Sequence, residues 1–167
     1  MQKHSFTFRA ILGSLICLAV LGSCGRKTLL DETRTFQSDT WMRFNPEKFQ
    51  VEAPNTEDCY NFVVSVTVDT SRYHEPAVPI TMTIESPSTE KRTLFSTLIL
   101  RNAEGSWLAH TNPDGTLTAT QTVRQFYFFN TTGTHTIEIS QRTNKYEIRG
   151  IQSLHFNIQK AKLEYPE

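Results

Sequence analysis

Alternation of apolar and polar residues with a period of two dominates the chain and predicts β-strands. The clearest case is residues 60–69, where apolar side chains occupy every second position and only Val63 interrupts the pattern. The alternating apolar positions are Phe62, Val64, Val66 and Val68. A strand with one apolar face is typical of an antiparallel sheet, so this segment is expected to cover one side of a core.

Further segments repeat this alternation. They cover residues 80–85, 94–100, 124–129, 137–140 and 153–158, with shorter candidates at 40–44, 49–51 and 107–109. Residues 94–100 are apolar on both faces, which predicts a central strand that is covered on both sides. Residues 61–69 would offer a pairing site for another chain if this strand lies at the edge of a sheet.

Turn-forming residues separate these segments at positions 87–91, 112–115 and 130–133. Many short strands about ten residues apart, without a convincing amphipathic helix, predict one antiparallel β-sandwich of about eight or nine strands. The sandwich is expected to be of the immunoglobulin-like or the jelly-roll type. Connection lengths alone do not decide between these two strand orders.

The N-terminal 23 residues have a different character. Lys3 and Arg9 precede an apolar run at residues 10–21, which is typical of a secretory signal peptide and too short to span a bilayer as a helix. The run ends in Leu-Gly-Ser-Cys at 21–24, which resembles the bacterial lipobox, where the signal is cleaved before a cysteine that is then acylated. Cys24 is therefore predicted to carry a lipid anchor. The alternatives are a short transmembrane anchor or an ordinary secretory signal.

Residues 24–35 are predicted to be a lipidated tether, because they are mostly polar and show no sustained periodicity. Residues 36–167 are then the β-sandwich domain. In enterobacterial lipoproteins an Asp after the acylated cysteine favours the inner membrane, so Gly25 indicates the outer membrane. The absence of an acidic cluster after Cys24 favours the periplasmic leaflet over the cell surface.

Composition narrows the possible functions. The 144 residues that follow the signal peptide suffice for one domain, and their fifteen basic and seventeen acidic residues argue against nucleic-acid binding. Cys17 leaves with the signal and Cys24 is acylated, so Cys59 has no partner for an intramolecular disulfide. Cys59 is expected to be a small buried residue rather than a nucleophile.

The histidines of the mature chain have no metal-binding spacing. They are His74, His110, His135 and His155. His135 and His155 are assigned to polar, solvent-facing positions of alternating strands. Hydrolase and phosphate-binding motifs are also absent from the sequence, so we expect a protein that is not an enzyme and that uses no metal or cofactor.

Aromatic residues offer a second kind of site. Trp41 and Trp107 are candidates for a platform that stacks on sugars, although aromatic residues on strands more often belong to a core. Trp107 is the stronger candidate because it follows a predicted turn at Glu104–Gly105. This alternative function is a glycan-binding β-sandwich lipoprotein.

Several segments together resemble the gliding motility lipoproteins of the GldH type from the Bacteroidota. They are Thr40-Trp41, CYNFVVSV at 59–66, GSWL at 105–108, GTHTIEISQR at 133–142 and GIQSL at 150–154. The likeness extends over roughly residues 36–160. Ala109 stands where the family favours a glycine, which marks a divergent member.

The resemblance implies an accessory component of a gliding motility machine that is linked to type IX secretion. Such a protein is held in the outer membrane by its lipid, faces the periplasm and contacts other envelope proteins, with no enzymatic activity assigned. Cys24 is the one residue to which the resemblance gives a defined role.

Overall fold

The computed structural model describes residues 28–162, in which strands predominate and the only helix is a short 3₁₀ turn at Gln37–Asp39. The strands within this range are β1 (Thr28–Thr35), β2 (Thr40–Met42), β3 (Glu47–Ala53), β4 (Cys59–Val68), β5 (Ala77–Glu85), β6 (Lys91–Ile99), β7 (His110–Thr111), β8 (Leu117–Phe128), β9 (Gly133–Gln141), β10 (Glu147–Arg149) and β11 (Ile151–Lys160).

Two antiparallel sheets pack face to face as a β-sandwich, which confirms the predicted fold class. The first sheet has the order β1-β11-β4-β8-β7 and the second has the order β3-β9-β5-β6. Strands β2 and β10 form a separate small pair. Aromatic contacts join the two layers, as between Phe49 of β3 and Phe156 of β11, whose ring centroids lie 5.2 Å apart.

The eight main strands pair as nested sets, which decides between the two predicted strand orders. The outermost pair is β1 with β11, and inside it lie β3 with β9, β4 with β8, and β5 with β6. This nesting of first strand with last is the jelly-roll arrangement, in which the chain folds back on itself as one long antiparallel ribbon. The N-terminal and C-terminal strands therefore lie side by side.

The predicted alternation on β4 is confirmed by burial. All four of its alternating apolar side chains, from Phe62 to Val68, are fully buried. The apolar positions of β5 and β9 face them from the other sheet and are buried as well. Each such side chain stabilises the fold by about 1.5–3 kcal/mol relative to leaving it exposed.

The edges of the two sheets differ from the expectation for residues 94–100, whose prediction as a central, covered strand was wrong, and they do not include the strand at residues 61–69. Strand β6, which covers most of residues 94–100, lies at the edge of its sheet, and its outward side chain Phe95 is 67% exposed. Its second apolar face therefore meets solvent rather than another layer. Strand β4 lies between β11 and β8, so its backbone hydrogen bonds are already made and it cannot pair with another chain as an edge.

Residues 28–35 are not part of a tether. They form β1, which pairs with β11 over its whole length, and Leu30 is buried in the core. The pattern is hard to detect because β1 is an edge strand whose remaining positions are mostly polar. The folded domain therefore begins at least eight residues earlier than predicted, while residues 1–27 and 163–167 lie outside the described range.

The turn at 87–91 closes the β5–β6 hairpin, and the turn at 112–115 joins β7 to β8, as predicted. In the second of these turns Gly115 adopts a positive φ of 83° and donates its backbone N–H to the carbonyl of Asn112. Residues 130–133, in contrast, do not close a hairpin. They carry the chain from β8 in one sheet to β9 in the other.

Candidate functional site

The sandwich has two ends that differ in chemistry. At the end that we call the proximal end, β1 begins and β11 finishes, because Thr28 pairs with Gln159. The distal end is the opposite one, where β1 finishes, β11 begins and the β2–β10 pair lies. Strand β4 connects the ends with ten residues, a length of about 33 Å at about 3.3 Å per residue.

Cys24, the predicted lipidation site, lies outside the described residues. Four Cα to Cα steps separate it from Thr28, the first residue of β1. Even a fully extended chain spans at most about 14 Å over four residues. Cys24 is therefore confined to the neighbourhood of the proximal end.

Trp41, one of the two aromatic residues predicted to face a ligand, is instead fully buried. Its ring stacks on Phe36 with centroids 5.1 Å apart and closes the distal end of the core. The single buried position of the three-residue strand β2 decides this placement, and so short a strand shows no clear alternation in the sequence.

Trp107 is half-buried and packs against the core from the connection between β6 and β7. The Arg101 guanidinium covers one ring face, with its central carbon 3.9 Å from the ring centroid. One isolated bridge, between Trp107 and Arg101, takes the place of the predicted strand at 107–109. The two tryptophans thus do not form a shared exposed platform.

The histidines are distributed over separate parts of the domain. His135 is buried, contrary to the prediction, and its Nδ1 lies 3.0 Å from the carbonyl oxygen of Gly133. It shares its strand face with Ile137 and Ile139, and this parity was the available signal in the sequence. His155 is half-exposed, and its Nε2 lies 2.6 Å from Asp31.

Cys59 is buried, as predicted, and is a free thiol within the described residues. It lies at the start of β4, with its Sγ 3.9 Å from the carbonyl of Ala161. Within residues 28–162, no three side chains of the metal-binding types converge on a common point. No helix in this range is long and apolar enough to cross a membrane.

The distal end carries an exposed aromatic pair that sequence reasoning missed as a pair. Phe44 is 73% exposed and Tyr146 is 62% exposed, and their ring centroids lie 5.9 Å apart. The β2–β10 pairing holds them together, since Arg43 donates its backbone N–H to the carbonyl of Tyr146 at 2.9 Å. The Arg43 guanidinium also lies 5.4 Å from the Phe44 ring centroid.

A charged cleft of about 270 Å³ is lined in part by Lys145 and Glu147, the chain neighbours of Tyr146. Its charged lining residues are Arg72, Glu75, Lys145, Glu147 and Arg149. Lys145 Nζ lies 2.9 Å from Glu75 Oε1, and this hydrogen-bonded contact lowers the pKa of Glu75. The cleft is therefore lined by both signs of charge at neutral pH.

Together, the cleft and the aromatic pair form the surface that we call the distal patch. Exposed aromatic rings beside arginine are the side chains that are enriched at protein interfaces, where they supply most of the binding energy. Exposed ion pairs around such rings contribute little to the binding affinity and mainly fix the orientation of one protein relative to the other. The distal patch therefore has the composition of a surface that contacts a macromolecule.

Comparison with known proteins gives one family. The family model described as GldH lipoprotein matches residues 28–158, almost the whole described domain. The match begins at the first residue of β1, which agrees with the fold in placing residues 28–35 within the domain. No curated protein matches the chain.

Proposed function

Since the chain belongs to the GldH lipoprotein family, and is thus a gliding-motility-related lipoprotein, we propose that it is a non-enzymatic accessory component of an envelope machine. It is anchored in the outer membrane by a lipid on Cys24 and faces the periplasm. It serves gliding motility and the type IX secretion linked to it by contacting other envelope proteins. The family match over residues 28–158 carries this proposal.

The positions of the proximal and distal ends support one orientation of the domain relative to the membrane, with the distal patch directed toward partner proteins. A lipid on Cys24 holds the proximal end at the membrane, because only three residues separate Cys24 from β1. The distal patch then stands about 33 Å further out, at the length of a ten-residue strand. Phe44 and Tyr146 are thereby presented to proteins in the periplasm.

The surroundings of the polar groups support a binding role rather than a catalytic one. His135 is enclosed in the core beside Phe129, with ring centroids 4.7 Å apart, and has no contact with the distal patch. His155 lies on β11 with Asp31 as its partner. The aromatic pair is the feature of the distal end that a partner protein would bury.

Proximity crosslinking in native cells tests this proposal. We expect the wild-type chain to capture gliding motility or type IX secretion proteins, and Cys24→Ala to lose them. The double variant Phe44→Ser/Tyr146→Ser should lose the same proteins while staying anchored. Phe95→Ser is the matched control, because Phe95 is similarly exposed but lies on the outer face of β6.

Capture of no motility or secretion protein by the wild-type chain would refute the proposal.

The exposed aromatic pair also favours a second candidate function, glycan binding. Binding of purified envelope polysaccharide that is lost in Phe44→Ser/Tyr146→Ser but kept in Phe95→Ser would place the glycan function first.

A further inference from the structure

Two phenylalanines at the proximal end are exposed although the residue between them is buried. Phe126 is 45% exposed and Phe128 is 44% exposed, whereas Tyr127 packs into the core against Phe62 with ring centroids 4.8 Å apart. Both phenylalanines lie among the last three residues of β8. Neither has a role in the core or in the distal patch.

The strand register places these rings level with the start of β1. Thr28 pairs with Gln159, which in turn pairs with Asn61 of β4. Asn61 accepts a hydrogen bond on its Oδ1 from the backbone N–H of Phe126 at 3.1 Å. Phe126 therefore lies in the same row as Thr28, about 14 Å away across three strand spacings.

Phe128 lies still closer to the proximal rim, since its partner on β4 is Cys59, the first residue of that strand. A line from Thr28 to Phe128 thus runs along the proximal rim of the first sheet. The anchor side of that rim is β1, and the aromatic side is β8.

The backbone that presents Phe126 is strained. The register between β4 and β8 shifts on both sides of Phe62, which marks a bulge in β8, and Phe126 adopts a left-handed φ of 51°. A side chain larger than glycine pays about 1–2 kcal/mol for this conformation. Bulges of this kind redirect a side chain, and here the redirected ring is held outside the core.

We infer that Phe126 and Phe128 dock on the lipid surface in which Cys24 is anchored. This inference rests on the proposed function, because it requires the lipid on Cys24. With Cys24 within about 14 Å of Thr28, the rim cannot stand far from the bilayer. Aromatic rings exposed at that height enter the interfacial region, where their apolar surface leaves water.

The consequence is an anchored domain with a fixed orientation. The lipid on Cys24 holds the β1 side of the rim, and the two rings hold the β8 side. Two contacts on opposite sides of a rim whose β1 and β8 strands lie about 14 Å apart resist rotation about the lipid chain, unlike a single flexible anchor. The distal patch is then presented outward at a constant angle to partner proteins.

Depth-dependent fluorescence quenching tests this docking. The lipidated mature chain is reconstituted into phosphatidylethanolamine and phosphatidylglycerol vesicles that carry brominated acyl chains. Phe126→Trp and Phe128→Trp are compared with the unsubstituted chain, which supplies the background of Trp41 and Trp107. Phe44→Trp at the distal end is the matched control for an exposed position.

We expect the fluorescence of the tryptophans at positions 126 and 128 to be quenched by the brominated lipid and their emission maxima to shift to shorter wavelength. The tryptophan at position 44 should do neither. Quenching at 126 and 128 no stronger than at 44, in chains that float with the vesicles, would overturn the docking and leave the anchor intact. Protection of 126 and 128 only after an envelope protein is added would overturn it in favour of a protein partner.

Mass spectrometry of the N-terminal peptide separates this inference from the proposal on which it rests. A chain from cells that is not acylated at Cys24 would contradict both the lipid anchor and the docking. An acylated chain whose tryptophans at 126 and 128 remain in water would contradict the docking alone.

Discussion

Replacement of Gln121 by leucine should loosen the link between the two sheets at one edge. Gln121 lies on β8 of the first sheet, and its side-chain amide bonds the backbone of Ile99 on β6 of the second sheet. Its Nε2 donates to the Ile99 carbonyl at 2.9 Å, and its Oε1 accepts from the Ile99 N–H at 3.1 Å. The Gln121 amide thus makes the two backbone hydrogen bonds that a neighbouring strand would make at this position of the β6 edge.

The register shows why this position is free to bond sideways. Leu100 donates its N–H to Pro76, and Ser86 donates to Glu90, so the even-numbered residues of β6 face β5. Ile99 therefore directs its N–H and C=O away from β5. Without Gln121 both groups would meet only water.

The size of the effect follows from two hydrogen bonds at an exposed site. Each typical hydrogen bond contributes about 0.5–1.5 kcal/mol net, so the loss of both should lower the free energy of unfolding by about 1–3 kcal/mol. The effect on amide hydrogen exchange at Ile99 is expected to be larger than the effect on global stability. The Ile99 N–H loses its acceptor, so its hydrogen can exchange with solvent without global unfolding. An opened β6 edge also exposes more backbone for association between chains.

Urea denaturation and amide hydrogen exchange measure these two effects. Gln125→Leu is the matched control, because Gln125 is an exposed glutamine on the same strand without such a bond to β6. We expect a lower urea midpoint and fast exchange at Ile99 for Gln121→Leu alone. Unchanged exchange at Ile99 in Gln121→Leu, or the same midpoint as in Gln125→Leu, would refute this account of the edge.

Three further substitutions test the core, a turn and a half-buried carboxyl. Phe62→Ala should lower the free energy of unfolding by about 3–5 kcal/mol in urea titrations because its ring is fully buried, whereas Phe95→Ala on the exposed face should change it by less than about 0.5 kcal/mol; equal effects would contradict the assigned core. Gly150→Ala should cost about 2–4 kcal/mol, since its φ is 87° and an added Cβ would lie 2.8 Å from a backbone nitrogen of the loop after β4. Gly105→Ala has open space around the added atom and should cost only about 1–2 kcal/mol for its φ of 83°, so equal melting temperatures of the two alanine variants would count against the close contact. Burial raises the pKa of Glu47 despite a nearby guanidinium, so the folded state holds this proton more tightly and stability falls as pH rises through that raised pKa. Glu47→Gln should therefore raise the melting temperature at neutral pH and not at a pH below the ordinary carboxyl range, and a gain that is the same at both pH values would exclude this cause.

The period-two alternation in the sequence was sufficient to predict a strand and its buried side chains where the strand has one apolar and one polar face. Strand β4 was recognised almost to the residue, because its alternating side chains from Phe62 to Val68 all enter the core. The same rule predicts burial for His135, which shares its face with Ile137, but residue type was given more weight than parity. For such positions the period of two is the more reliable guide.

The rule fails for edge strands, because their environment depends on which strands lie beside them. Strand β6 is apolar on both faces and β1 is mostly polar, yet each is the edge of a sheet. Neither the sequence of β6 nor that of β1 states how many neighbours it has. Sheet order is set by contacts between segments that are far apart in the chain, such as β1 with β11.

The sequence by itself determined the β-class, most strand positions, the family resemblance and the prediction of a lipid anchor at Cys24, because each depends on residues that are close together in the chain. Only the tertiary structure decided which aromatic residues are exposed. It buries Trp41 at the end of the core, pairs Phe44 with Tyr146 on the distal patch and holds Phe126 and Phe128 at the proximal rim. The physical reason is that the exposure of a ring depends on the strands packed around it, and the nested jelly-roll pairing assembles those strands from distant parts of the chain.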